Sequence, residues 1–382
     1  MAKKPPFECV ALLLQGGGAL GAYQAGVYEA LAEVDLHPDW VAGISIGAIN
    51  SALIAGNAPE KRVDALREFW EMITAPSLIP STFLSSMATE VGADSDLVRG
   101  WINQMSALST IMYGAAGFFH PRVIPPFLAP NSTKGALSYY DTKPLYATLE
   151  RLVDFDRINA GHMRFSVGSV NVRTGNFEYF DSTTHTIDPR HVMASGSLPP
   201  GFPAVDIDGE SYWDGGLVSN TPLQWVLDSR PRQDTLAFQV DLWSAKGDYP
   251  KDMTSQDVRL KDIRFSSRTR QGTDQFRKEQ GLRRALVHLI EKLPADITAS
   301  DSPEIQNLLA QADDKVYNIA HLIYRAKGYE GDSKDYEFSR ATMEEHWAAG
   351  YEDTVLTLRH PEVLQRPTSA DGMSVFDLSQ FR

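Results

Sequence analysis

A serine hydroxyl attacks an ester only when one group takes its proton and others receive the charge that develops on the carbonyl oxygen. Three short stretches of this 382-residue chain offer those parts. Gly43-Ile44-Ser45-Ile46-Gly47 is a Gly-x-Ser-x-Gly pentapeptide. Such a serine sits on a strained strand-to-helix turn, where side chains two positions to either side would collide and glycine removes the collision. Gln15-Gly16-Gly17-Gly18-Ala19-Leu20-Gly21 puts unhindered backbone N–H groups at a helix start, suited to a tetrahedral oxyanion. We assign that role to Gly16, Gly17 and Gly18 with the N–H of Ile46, just after the serine. Asp214-Gly215-Gly216 follows Tyr212 and Trp213, and partial shelter by those rings would raise the basicity of the carboxylate. Each stretch has a plainer reading: a glycine-rich turn with an incidental serine, a loop packed for steric reasons, a solvated Asp-Gly-Gly turn. Their combination gives the chemistry its weight.

The elements that must position these residues are legible nearby. Residues 10–14 form an apolar run that stops at the glycines, and 19–31 have helix-compatible composition. The pattern repeats, with 40–44 as a strand, Ser45 as the turn and 46–55 as a helix. A right-handed βαβ unit makes the two strands parallel, so both loops emerge at one carboxyl edge. A helix over 59–73 precedes a stretch of weak periodicity, 75–140, rich in Ser, Pro, Gly and aromatic residues. It reads as an insertion and a candidate lid or acyl channel. Residues 164–172 and 177–181 flank a hairpin turn, 189–197 form a short helix, and Thr221-Pro222 is expected to cap a helix running to Asp228. Residues 235–242 read as a further strand. The expected division is a core over 1–250 and an α-rich extension over 251–382. The extension has charged helical sequence over 256–293, a strand-like 316–324 able to rejoin the main sheet, and a helix over 339–358.

Gly-Gly-Gly-x-x-Gly after the first strand, Gly-x-Ser-x-Gly after the second and Asp-Gly-Gly in mid-chain, in that order, resemble the patatin-like phospholipases. The resemblance covers residues 7–230. It implies an α/β, three-layer patatin-like fold with a mostly parallel central sheet flanked by helices, plus the α-rich C-terminal extension. It implies a lipid acyl hydrolase in which Ser45 and Asp214 form a dyad without histidine, the Gly16-Gly17-Gly18 loop is the oxyanion hole, and Gly43, Gly47, Gly215 and Gly216 support the motifs. It also places Met193-Ala194-Ser195-Gly196-Ser197-Leu198-Pro199 near the active site. The substrate would be an acyl lipid or phospholipid, with no cofactor and no metal. Gln15 departs from the family's frequent Asp, with little effect expected because the role belongs to backbone. The extension resembles a tail of some bacterial members and carries no legible chemistry.

Composition narrows the alternatives. A formal net charge of −13 argues against nucleic-acid binding and against simple adhesion to anionic membranes. A single cysteine, Cys9, excludes an internal disulfide and reads as an inert core thiol. The start, MAKKPPFE, lacks a cleavable leader pattern, and the expected location is cytoplasmic with peripheral membrane contact. Gly16-x-Gly18-x-x-Gly21 also fits a dinucleotide-binding fingerprint, but Asp39 precedes the second strand rather than ending it. A P-loop lacks its Lys-Ser or Lys-Thr. A Ser-Asp-His hydrolase would borrow His288 or His321, although His288 reads as a packed residue, and His185 and His191 flank Asp188-Pro189 at the surface or behind the site. A protein that holds acyl lipids without turning them over is the remaining alternative. The apolar segment from Ile111 to Phe119, continuing through Pro125-Pro126-Phe127-Leu128, is expected to line the acyl-chain path or to rest on a membrane interface.

Overall fold

β1 (Cys9–Leu14) is buried along its whole length, and its side chains alternate between two cores. Val10, Leu12 and Leu14 enter one hydrophobic cluster, and Cys9, Ala11 and Leu13 enter the other. A strand that is apolar on both faces must be covered on both faces. The first cluster is closed by helices Ala22–Glu33, Ile46–Ala55, Arg62–Ile73 and Arg340–Leu358, and the second by Leu223–Leu227 and Thr269–Ile290. The result is three layers. The computed structural model describes residues 4–74, 95–266, 269–299, 301–327 and 329–378.

The remaining strands are β2 (Trp40–Gly43), β3 (His120–Pro121), β4 (Tyr140–Asp141), β5 (Arg164–Asn171), β6 (Phe177–Asp181), β7 (Val205–Ile207), β8 (Glu210–Asp214), β9 (Thr235–Asp241), β10 (Tyr317–Ile323) and β11 (Met373–Asp377). Among the described residues, the central sheet has nine strands in the order β11-β10-β9-β1-β2-β5-β8-β7, with β6 paired to β5. From β11 through β5 all neighbours run parallel, whereas β6, β8 and β7 are antiparallel. Parallel pairing of β1 with β2 sends the glycine loop and the Ser45 turn out at the same edge.

β10 rejoins the sheet beside β9, and β11 follows it. The line drawn near residue 250 therefore passes between neighbouring strands of one sheet. Helix Arg340–Leu358 lies on helix Ala22–Glu33, where the Tyr23 hydroxyl donates to Asp353 at 2.7 Å and Trp347 Nε1 donates to Glu29 at 2.5 Å.

Two local expectations are corrected. Thr221 does not cap the helix at Leu223–Leu227, whose N-cap is Pro222 with no side-chain bond; the Thr221 hydroxyl instead accepts from Gln15 Nε2 at 3.0 Å. The insertion contains a 19-residue helix, Ser95–Tyr113. Its periodicity escapes notice because small or polar residues, Ala107 and Thr110, face inward while Trp101, Met105, Leu108 and Met112 face out. Residues 75–94 of the insertion lie outside the described residues.

Candidate active site

Ser45 stands between β2 and helix Ile46–Ala55 with φ 55° and ψ −123°, a conformation that costs a non-glycine residue about 1–3 kcal/mol and persists only where its surroundings impose it. The surroundings are specific. A Cβ on Gly43 would lie 2.2 Å from the Gly47 carbonyl oxygen, and one on Gly47 would lie 2.2 Å from the Leu14 carbonyl oxygen. Glycine at both positions lets the turn close against β1. The Ser45 N–H donates to Ser195 Oγ at 3.0 Å, and that hydroxyl donates to the Gly168 carbonyl at 2.6 Å. Ser195 thus fixes the turn from the block that follows β6.

Asp214 ends β8 and is 2% exposed. Its Oδ1 accepts the Gly216 N–H at 2.7 Å, a bond that needs the tight Gly215-Gly216 turn; a Cβ on Gly215 would stand 2.5 Å from the Gly168 carbonyl oxygen. Burial pushes the Asp214 carboxyl from 3.8 up to about 7, opposed by hydrogen bonding from Ser45 and then from Gly216. A carboxyl so poised can accept a proton near neutral pH.

The glycine loop closes the third side. A Cβ on Gly16 would lie 2.9 Å from Ser45 Cβ, so the loop backbone abuts the serine. The four expected donors then divide. The Gly16 N–H already donates to Asn220 Oδ1 at 3.1 Å. The N–H groups of Gly17, Gly18 and Ile46 donate to no acceptor among the described residues. The Gly16 carbonyl accepts from Asn220 Nδ2 and from Trp243 Nε1, each at 2.9 Å.

Gln15 has a larger part than its backbone. Its Oε1 accepts the N–H groups of Leu242 and Trp243 at 2.7 and 3.0 Å, and its Nε2 donates to Thr221. The amide ties the end of β1 to the end of β9 and to the segment after Asp214. An aspartate could make the first two bonds but not the third.

These groups share one cavity of about 340 Å³, lined by Gly16, Gly17, Gly18, Ser45, Ile46, Asp214 and Gly216. Its far wall is aromatic: Phe118, Phe119, Tyr140, Phe202 and Phe338 pack with ring centroids 4.9–6.4 Å apart. Phe338 comes from the extension, so that region contributes to the cavity wall. Asn220 and Trp243 were not among the expected site residues, because side chains that act on backbone leave no local motif, whereas Ser195 belongs to the block expected near the site.

Histidine is absent from the cavity lining among the described residues. His288 is exposed and faces Glu291 rather than packing. His321 lies buried against Asp241 near another cavity, and buried His191 closes a capping box with Asp188. No grouping of His, Cys, Asp and Glu suited to a metal occurs among the described residues. Burial pushes the Cys9 thiol up to about 12, in keeping with a core position.

The sequence matches the family described as patatin-like phospholipase over residues 12–227, more than half of the chain, and one described as patatin phospholipase over residues 263–370. No curated protein matches. Among solved structures, VipD from Legionella pneumophila is similar at 13% identity and a TM-score of 0.39, over 100% of this chain and 76% of that one. The ExoU–SpcU complex from the type III secretion system of Pseudomonas aeruginosa is similar at 17% identity and a TM-score of 0.31, over 81% of this chain and 69% of that one. Both likenesses are distant.

Proposed function

The chain belongs to the patatin-like phospholipase family, a family of lipid hydrolases, and on that footing we propose that it cleaves carboxylic esters of acyl lipids through a Ser45–Asp214 dyad and an acyl-enzyme. The observation that carries this reading is one arrangement: a strained serine, a buried carboxyl raised to about 7 and three unoccupied N–H groups around a single apolar cavity.

Ser45 Oγ attacks the ester carbonyl while its proton passes to Asp214. The oxyanion so formed faces the N–H groups of Gly17, Gly18 and Ile46. Gly16, with its N–H engaged by Asn220, anchors the loop rather than donating. Collapse of the intermediate expels the alcohol, which takes the proton from Asp214, and water activated by the same carboxylate then releases the fatty acid. The aromatic wall receives the acyl chain, where each methylene removed from water contributes about 0.8 kcal/mol.

An apolar stretch of the chain that contributes Ile111, Phe118 and Phe119 to the cavity is the natural seat for a lipid aggregate. Ile111 and Leu198 line the cavity and are partly exposed, and the same stretch of chain as Ile111 exposes Met112 at 65%, Val123 at 98% and Phe127 at 81%. From Trp101 to Thr133 the one charged side chain is Arg122, which turns back to Ser138 and Asp141. No helix among the described residues is long and apolar enough to cross a membrane. Mass-spectrometric product analysis after incubation with a mixed lipid extract tests the reading. Fatty acid release by the parent and none by Ser45→Ala is expected; equal release by both overturns it.

A further inference from the structure

The loop that leads into helix Arg340–Leu358 presses on the glycine loop. The Ala19 N–H donates to the Asp335 carbonyl at 2.8 Å. Gly18, at φ +55°, lies so close that a Cβ there would be 2.0 Å from the same oxygen. Side chain and ring contacts hold this loop from beneath. Lys261 Nζ donates to the Asp332 carbonyl at 2.8 Å and to Asp335 Oδ1 at 3.0 Å, stapling the two ends of one turn. Next in sequence to each partner, Lys334 Nζ donates to Asp262 at 2.7 Å, so the same helix, Met253–Phe265, is tied twice to the same loop. Lys334 also lies 5.0 Å from the centre of the Trp243 ring, whose Nε1 donates to the Gly16 carbonyl. At the loop's start, Glu330 accepts from Tyr324 at 2.5 Å and faces His346 at 3.3 Å, tying it to the β10 end and to the long helix.

We infer that Lys261 and Asp335 are positioning residues for an oxyanion donor: through the Asp335 carbonyl they fix where the Gly18 N–H points. The inference rests on the reading of that group as a donor. It follows from how steeply such groups depend on place, because a displacement of about 1 Å at a reacting centre costs on the order of a hundredfold in rate. The Gly17 N–H shares a peptide group with the Gly16 carbonyl, which Asn220 and Trp243 hold from one side of the loop, but the peptide group that carries the Gly18 N–H has no side-chain bracket among the described residues. Asp335 supplies the missing constraint from the other side. The segment matched over residues 263–370 is on this account part of the catalytic apparatus.

The test uses the full chain with the substitutions Lys261→Met and Asp335→Asn and a short-chain soluble ester. Inhibition is compared between a trifluoromethyl ketone, which adds Ser45 Oγ to form an oxyanion, and the matching secondary alcohol, which forms no adduct. The expected result for Lys261→Met is a fall in kcat of about tenfold or more, KM unchanged, weaker binding of the ketone in proportion to kcat, and unchanged binding of the alcohol. Asp335→Asn keeps an acceptor of the same size and should show a smaller fall in the same direction; it carries the test if Lys261→Met does not fold. Unchanged kcat and ketone affinity in a folded variant overturn the inference. So does an equal loss for ketone and alcohol, which would mean that the loop shapes the acyl site and not the donors. Undiminished turnover by Ser45→Ala would sink the underlying hydrolase reading, a result distinguishable from either.

Discussion

Asn220 brackets Gly16: its Oδ1 accepts the Gly16 N–H at 3.1 Å while its Nδ2 donates to the Gly16 carbonyl at 2.9 Å. The two residues are 204 positions apart in the chain. One amide therefore fixes the planes of the two peptide groups that meet at Gly16, the second of which carries the Gly17 N–H, and ties them to the segment that carries Asp214. Asn220→Asp would keep the acceptor, lose the donor and add a charge beside Asp214. We expect kcat to fall by about tenfold to a hundredfold with KM little changed, and Asn220→Ala to do the same; parent-like kcat in both would show that the bracket is dispensable.

As the proposed base, Asp214 should make activity depend on pH. Its carboxyl would have to be ionised to take the Ser45 proton, and burial raises it to about 7. kcat/KM on a soluble ester should fall as pH drops through about 7 and level off above it. A profile flat between pH 5 and 8 would contradict this.

The same shift bears on stability. A carboxyl raised from 3.8 to about 7 in the folded state favours folding when protonated, and that contribution is lost as pH rises through about 7. Asp214→Asn should abolish turnover and flatten the decline in Tm between pH 5 and 8. A variant that stays active, or whose Tm falls with pH as steeply as the parent's, would count against Asp214 as the buried base.

Phe119 touches Phe118, Tyr140, Phe202 and Phe338 in the cavity wall. Phe119→Ala should cost about 3–5 kcal/mol of stability, as buried aromatic truncations do, which thermal melting reads directly. Phe118→Leu, a milder change, should depress hydrolysis of long-chain esters more than short ones. Equal losses across chain lengths would remove the wall from acyl recognition.

Val123 and Phe127 are almost fully exposed and lie outside the cavity lining. Replacing both with serine should leave turnover of a soluble short-chain ester unchanged while lowering vesicle binding and hydrolysis of lipid in phosphatidylcholine vesicles. Because the chain carries a net charge of −13, adding anionic lipid should not strengthen binding of the parent. Vesicle hydrolysis equal to the parent's would show that this surface does not meet lipid.

The sequence by itself determined whatever depends on neighbours in the chain. Strand, glycine turn and helix around Ser45 follow from an apolar run broken by residues that permit a sharp turn, and the order of the three motifs identifies the family. The parallel pairing of β1 and β2 follows because the helix between them admits one hand of crossover. Only the tertiary structure decided which glycine N–H groups are unoccupied, how far Asp214 is removed from water, and that Asp335 and Phe338 reach the cavity from the far end of the chain. Gln15 shows the division within one residue: its position before the glycines is local, but its side chain bridges to Thr221 and Leu242, more than 200 positions away. Hydrogen bonds to backbone and desolvation arise from whatever the fold brings close, and neither requires a motif that spacing along the chain could reveal.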